Sequence, residues 1–297
     1  MVYVLYMTTS SSDVQAPSAQ VAWRDAPTRT ISAGGVDFAY RELGPRGGVP
    51  VVFLHHLTAV LDDWDPRVID AIAAHRHVIT FDNRGVGASS GRVPRKVGAM
   101  AADAVAFIRA LGHEQVDLLG FSLGGGVAQF ILVGHPELVR RAVLAGTGPA
   151  GAGGLAKMPL IAGSAYTKAA LTLRDPRHFL FFNRNTVGKR AATEYMARLK
   201  ERTADRDKRI SPQAMVAQLR AIVAAGRQAP HDLGKVTQPV FVANGDNDVM
   251  VASSHSEDLA KRIPGAKLAI YPDSGHGGVF QHRDQFVPAV LEFLKAS

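Results

Sequence analysis

The chain has 297 residues, 46% of them hydrophobic, which is enough apolar material for the core of one large α/β domain or two ordinary ones. It contains no cysteine, which excludes disulfides, a cysteine nucleophile and thiolate-bound zinc or iron–sulfur clusters; a reducing cytoplasm fits that composition. The formal charge of +8 is concentrated, because residues 151–235 hold 16 Lys/Arg against 6 Asp/Glu and the remainder balances at −2. No groove-reading or base-stacking motif accompanies this charge, so nucleic acid is not an expected partner. Within it, "ARLKERTADRDKR" (197–209) interleaves both signs, the pattern of a solvated helix face and its exit loop.

In chain order, the opening "MVYVLYMTTSSSDVQAPSAQ" has an apolar patch too short for a signal-peptide core or a membrane span, followed by a Ser/Thr/Ala/Pro-rich stretch. Residues 1–26 are therefore expected to form a disordered tail, Met7 is an alternative start, and no membrane is an expected partner. The stretch around "GGVDFAYREL" predicts an antiparallel hairpin at a sheet edge. Continuous apolar runs follow at 51–56, 77–82, 116–121, 141–146, 239–245 and 267–272, the signature of strands buried on both faces in a mainly parallel sheet. Between them, 97–112 repeats its apolar positions at helical spacing and stops at Gly112, and "SEDLAKRIPG" (256–265) opens with a serine cap and an acidic first turn. "LDDWDP" (61–66) is expected to start a helix with Trp64 in the core, its Asp62-Asp63 pair serving the helix dipole rather than catalysis. From about Pro149 to Asp232 no strand is evident, only a Gly/Ala-rich linker and amphipathic helices such as "ATEYMARLKERTADRD" and "SPQAMVAQLRAIVAAG". The organisation predicted is an α/β core over 27–148 and 233–297, with helices on both faces and a helical insertion at 149–232.

Chemistry concentrates in "VDLLGFSLGGGVAQFIL", where a buried strand enters Gly120-Phe121-Ser122-Leu123-Gly124 and leaves as a helix. A turn that tight strains its central residue and requires small residues two positions before and after it, and glycine stands at both. The serine oxygen then projects at the carboxyl end of the sheet, beside the N–H groups of a helix start. A serine hydroxyl needs a general base and a group to orient that base. Two later strands end in turns on the same edge, one carrying Asp246 and Asp248, the other His276.

With "GFSLGGG", "DNRGVGASSG" (82–91), "NGDNDVMV" and "SGH" in this order, the chain resembles the α/β-hydrolases, in their serine-nucleophile branch, from about Val51 onward. The resemblance implies a triad of Ser122, Asp248 and His276, the acid lying three residues after the glycine of its turn, with Asp246 left as a turn residue. It also implies an oxyanion hole from the backbone N–H groups of Leu123 and of Leu57, in the loop that usually reads His-Gly-X. Here that loop reads His55-His56-Leu57, so a histidine replaces the glycine that takes positive φ freely. Adjacent strand histidines point to opposite faces and no ligand cluster follows, so a metal is not expected; His55 is expected buried with satisfied hydrogen bonds and His56 at the pocket edge. Arg84, in the second motif, is expected to brace its loop.

In that architecture the insertion forms a lid that sets substrate choice, and Tyr166, Leu171, Phe179, Leu180, Phe181 and Phe182, with His56 and Met250, are candidates to line the pocket. The expected activity is hydrolysis of an apolar carboxylic ester or lactone through an acyl-enzyme on Ser122, without a cofactor; the basic insertion weakly favours anionic substrates. The motif also resembles that of cofactor-free haloperoxidases, which makes perhydrolysis a second reaction. A ligand receptor that keeps the fold with little turnover is the alternative of another class. The oligomeric state has no signature in the sequence.

Overall fold

The computed structural model describes residues 21–295. Eight strands form one sheet: β1 (Arg29–Ala33), β2 (Val36–Leu43), β3 (Val51–Leu54), β4 (Val78–Phe81), β5 (Val116–Phe121), β6 (Val139–Ala145), β7 (Val240–Gly245) and β8 (Lys267–Tyr271). Their order across the sheet is β1-β2-β4-β3-β5-β6-β7-β8. The predicted hairpin is β1 and β2, antiparallel at one edge, with β2 antiparallel to β4. Every later pairing is parallel. All residues of β3, β4, β5 and β7 are buried, which explains why these strands read as unbroken apolar runs rather than as alternating ones.

Before β6 come the helices α1 (Pro66–Ala73), α2 (Val97–Ala110) and α3 (Leu123–Gly134). Between β6 and β7 lie α4 (Met158–Thr172), α5 (Arg177–Leu180), α6 (Thr186–Arg198) and α7 (Pro212–Gly226), with no strand among them. After β7 come α8 (Ser253–Arg262), α9 (Gly278–Gln281) and α10 (Arg283–Lys295). Helix α1 starts later than "LDDWDP" suggested: Leu61–Asp63 form a 3-10 turn, Asp65 caps the helix by accepting from the Arg67 N–H, and Trp64 is buried as expected. Helix α8 starts three residues before its predicted serine cap. Ser256 is instead buried, donating to the Thr147 carbonyl and accepting from Asn244.

Two expectations are corrected. The tail does not extend to residue 26: Trp23 is 2% exposed, its N–H donates to Asp70 at 2.6 Å, and its ring lies 5.3 Å from the Arg41 guanidinium. Residues 1–20, with Met7, lie outside the described residues. The charged run 197–209 is a solvated helix end and exit loop only in part: Lys200, residues 203–206, Lys208 and Arg209 are exposed, whereas Leu199 and Arg202 are buried. Helix α6 ends at Arg198, which pairs with buried Asp65, and from the loop that follows the buried Arg202 side chain donates to the carbonyls of Arg24 and Ala26. Arg84 pairs with Asp103 on α2 and so braces its loop as expected.

Candidate active site

Strand β5 delivers Ser122 into a backbone conformation of φ 56°, ψ −114°, the strained turn that the flanking glycines predicted. The glycines have identifiable causes. A Cβ on Gly120 would stand 2.4 Å from the Gly124 carbonyl oxygen, and one on Gly124 would stand 2.0 Å from that of Leu54. Strand β5, the turn and β3 are thus packed backbone to backbone. The carbonyl of Ser122 accepts from the N–H groups of Gly125 and Gly126, which starts α3 directly beneath the serine.

Both turns after β7 and β8 converge on the same edge. Asp248 accepts from the Met250 and Val251 N–H groups through one oxygen (2.7 and 2.9 Å), while the other lies 2.6 Å from Nδ1 of His276. Asp248 and His276 are both buried. Nε2 of His276 is buried with no hydrogen-bond partner among the described residues, and His276 and Ser122 line one cavity. Asp246 faces elsewhere. It clamps the β8 turn by accepting from the Asp273 and Ser274 N–H groups and from Asn247, and these bonds outweigh its slight burial and hold its carboxyl below the usual range.

The loop after β3 solves the histidine-for-glycine problem by shifting the left-handed residue. Positive φ falls on Thr58 (68°), not on His56. The Thr58 N–H donates to Oε1 of Gln218 at 2.8 Å, a fully buried side chain on α7 that the sequence reading did not single out. The N–H groups of Leu57 and Leu123 have no protein acceptor among the described residues. His56 donates from Nδ1 to the Leu57 carbonyl at 2.8 Å and packs between the rings of Phe121 and Phe181. Burial lowers its pKa to about 4 and that of His55 to about 3, so both are neutral near pH 7. His55 departs from expectation in lying against Trp64 without a well-formed hydrogen bond at either ring nitrogen.

Ser122 opens on two spaces. One is a slot of about 50 Å³, mostly apolar, walled by Leu123, Phe130, Met158 and Ile222. The other is a cavity of about 610 Å³ lined by His56, Leu57, Tyr166, Leu180, Phe181, Met250 and His276, among others. Phe182 does not reach it and packs on Tyr195 instead, while Leu171 is 81% exposed. Phe179 is half-buried beside the Arg184 guanidinium. The wall also holds charges that no apolar reading anticipated: Asp62, Asp63, Asp175, Arg177, Lys200, Arg206, Asp207 and Arg209. Burial opposes the Arg177 charge, yet the Asp63 carboxylate and a hydrogen bond to Asp175 outweigh it and raise the guanidinium pKa. The same contact holds Asp63 low against its burial, and the other Asp63 oxygen accepts from the Val60 N–H in the loop after β3.

Comparison with known proteins agrees with this geometry. Residues 49–283 match the family model of the alpha/beta hydrolase fold. The chain is 29% identical to a 2-hydroxymuconate semialdehyde hydrolase of Pseudomonas sp. (strain CF600), covering 90% of this chain and 93% of that one. It is 27% identical to a non-heme chloroperoxidase of Streptomyces lividans, covering 89% and 98%. Among solved structures, an alpha/beta hydrolase fold protein from Chitinophaga pinensis superposes with a TM-score of 0.89 at 37% identity, over 93% of this chain and all of that one. No helix among the described residues is long and apolar enough to cross a membrane. With the match spanning most of its length and the sheet order and serine turn in place, the chain belongs to the α/β-hydrolase fold family.

Proposed function

We propose that this protein is a serine hydrolase that cleaves a carboxylic ester or lactone through an acyl-enzyme on Ser122, with Asp248 and His276 completing the triad. The observation that carries the reading is the 2.6 Å contact of Asp248 with Nδ1 of His276, which leaves the unpartnered Nε2 in the cavity that Ser122 lines. In this scheme Ser122 Oγ attacks the carbonyl carbon while its proton passes to Nε2 of His276. The carbonyl electron pair moves to oxygen, where the Leu57 and Leu123 N–H groups hold the negative charge. Collapse of the intermediate expels the alkoxide, which takes the proton from His276, and a water repeats the sequence to free the acid and Ser122. Asp248 keeps the imidazole in the tautomer that presents a bare Nε2. The segment 149–232 acts as the lid, closing the cavity with Tyr166, Leu180 and Phe181.

The slot of about 50 Å³ has room for a few waters or a short apolar group, since a single water needs roughly 10–15 Å³ on this scale. The larger substituent of the substrate is therefore assigned to the cavity. Perhydrolysis is kept as a second reading because a non-heme chloroperoxidase is among the relatives; hydrogen peroxide would then replace water in deacylation and release a peracid. The test is hydrolysis of nitrophenyl esters of graded chain length, with and without peroxide, by the wild type and by Ser122→Ala. Loss of turnover by about 10³-fold or more in the variant supports the reading. No turnover by the wild type on any ester favours the receptor alternative.

A further inference from the structure

We infer that the substrate of this cavity ends in an anionic head group carried on an apolar chain, and that Lys200, Arg206 and Arg209 select for it. The inference rests on the hydrolytic reading of Ser122 and adds the substrate class. The cavity that Ser122 lines has an apolar share of wall from Tyr166, Leu180, Phe181, Met215, Leu219 and Met250. Elsewhere in the same wall the carboxylates are already engaged. Asp63 and Asp175 are taken by Arg177. Asp62 serves three guanidiniums at once, Arg41 at 2.7 Å, Arg206 at 3.4 Å and Arg202 at 3.7 Å. Asp207 is hydrogen-bonded to Asp82, whose pKa is raised well above the usual range by burial and by that contact, so Asp207 too is already engaged.

The cations are not matched in this way. Lys200 and Arg209 line the cavity with no acidic partner among the described residues, and Arg206 holds only a long contact to a carboxylate that Arg41 already occupies. All three lie beyond the end of α6, in the run 198–209, and line the cavity while remaining open to solvent. An anion entering a partly enclosed, apolar-walled space beside unmatched cations is attracted more strongly than on an open surface. A neutral chain of the same length gains nothing from them. Because Lys200 and Arg209 are exposed to solvent, the attraction is screened by salt, which gives the experiment a control.

The test compares two nitrophenyl esters of equal chain length, one ending in a carboxylate and one in a methyl group. The expected kcat/KM is about tenfold higher for the carboxylate ester at low ionic strength, falling toward parity in about 0.5 M salt. The double variant Lys200→Glu, Arg209→Glu should abolish or invert the preference, whereas Lys261→Glu, a charge reversal on α8 outside the cavity, should keep it. Equal efficiencies for the two esters, or a preference that survives the double reversal, overturns the inference while leaving the hydrolase reading intact. If neither ester is hydrolysed the hydrolase reading fails, and calorimetry then decides the inference alone. Tighter binding of the carboxylate ester that the double reversal removes supports it, and equal binding of the two esters overturns it.

Discussion

Asp246 and Asp248 stand two positions apart in one turn, and only their surroundings separate them. The first spends its oxygens on backbone N–H groups of the neighbouring turn, the second reaches His276. Asp248→Asn is therefore expected to lower kcat by about 10³–10⁴-fold, because an amide no longer enforces the productive imidazole tautomer. Asp246→Asn should change kcat by less than about threefold and register mainly as a small loss of stability in urea unfolding. Comparable kcat losses at both positions would contradict the assignment. Gln218 is the residue-scale feature that sequence pattern did not reveal. A glutamine in an amphipathic helix looks like any polar position, and its partner, the Thr58 N–H, lies 160 residues away. Gln218 holds Thr58, the left-handed residue next to Leu57, whose N–H is the proposed oxyanion donor. Gln218→Ala is expected to reduce kcat by about tenfold with KM changing much less, and Gln218→Glu, which keeps an accepting oxygen, to recover most of the loss. A variant with unchanged kcat would show that the loop holds itself.

At the scale of elements, the segment from Lys200 to Ser211 is where the reading from sequence and the structure diverge most. Interleaved signs look the same whether a helix faces water or inserts its charges among buried partners. What decides is Arg41, Asp62 and Asp65, all more than a hundred residues earlier. The segment is docked in part by two carboxyls: Asp207 meets Asp82 at the end of β4, and burial followed by that contact raises the Asp82 pKa well above the usual range. A carboxyl whose pKa is raised on folding stabilises the docked state while it is protonated. Its contribution is complete below the ordinary carboxylate value and is lost as pH rises through the raised value. Hydrogen-exchange protection of this segment, corrected for intrinsic rates, should therefore fall as pH is raised across that window. Asp207→Asn, whose amide donates to Asp82 at any pH, should flatten the profile. A wild-type profile that is already flat would refute this role for the Asp82–Asp207 contact.

At the scale of the molecule, the sheet and the serine turn were legible because their causes are local. Strands buried on both faces must be apolar throughout, and Gly120 and Gly124 are needed where backbones meet within 2.0–2.4 Å of a hypothetical Cβ. The cavity-facing side of residues 149–232 was not legible to the same degree. Phe181 and Phe182 are adjacent and alike, yet one lines the cavity and the other fills a core against Tyr195, a choice made by how α5 and α6 pack and not by either side chain. The charged wall was hidden for a related reason, since a net balance shows that a segment is basic but not which way its charges turn. The central claim, covalent chemistry at Ser122, is tested most directly by acid-quenching the protein during turnover of a short nitrophenyl ester and mapping the acyl mass by peptide mass spectrometry. The adduct is expected on the peptide carrying Ser122, with none in Ser122→Ala. Turnover with no adduct on that peptide, together with full activity in Ser122→Ala, would contradict it.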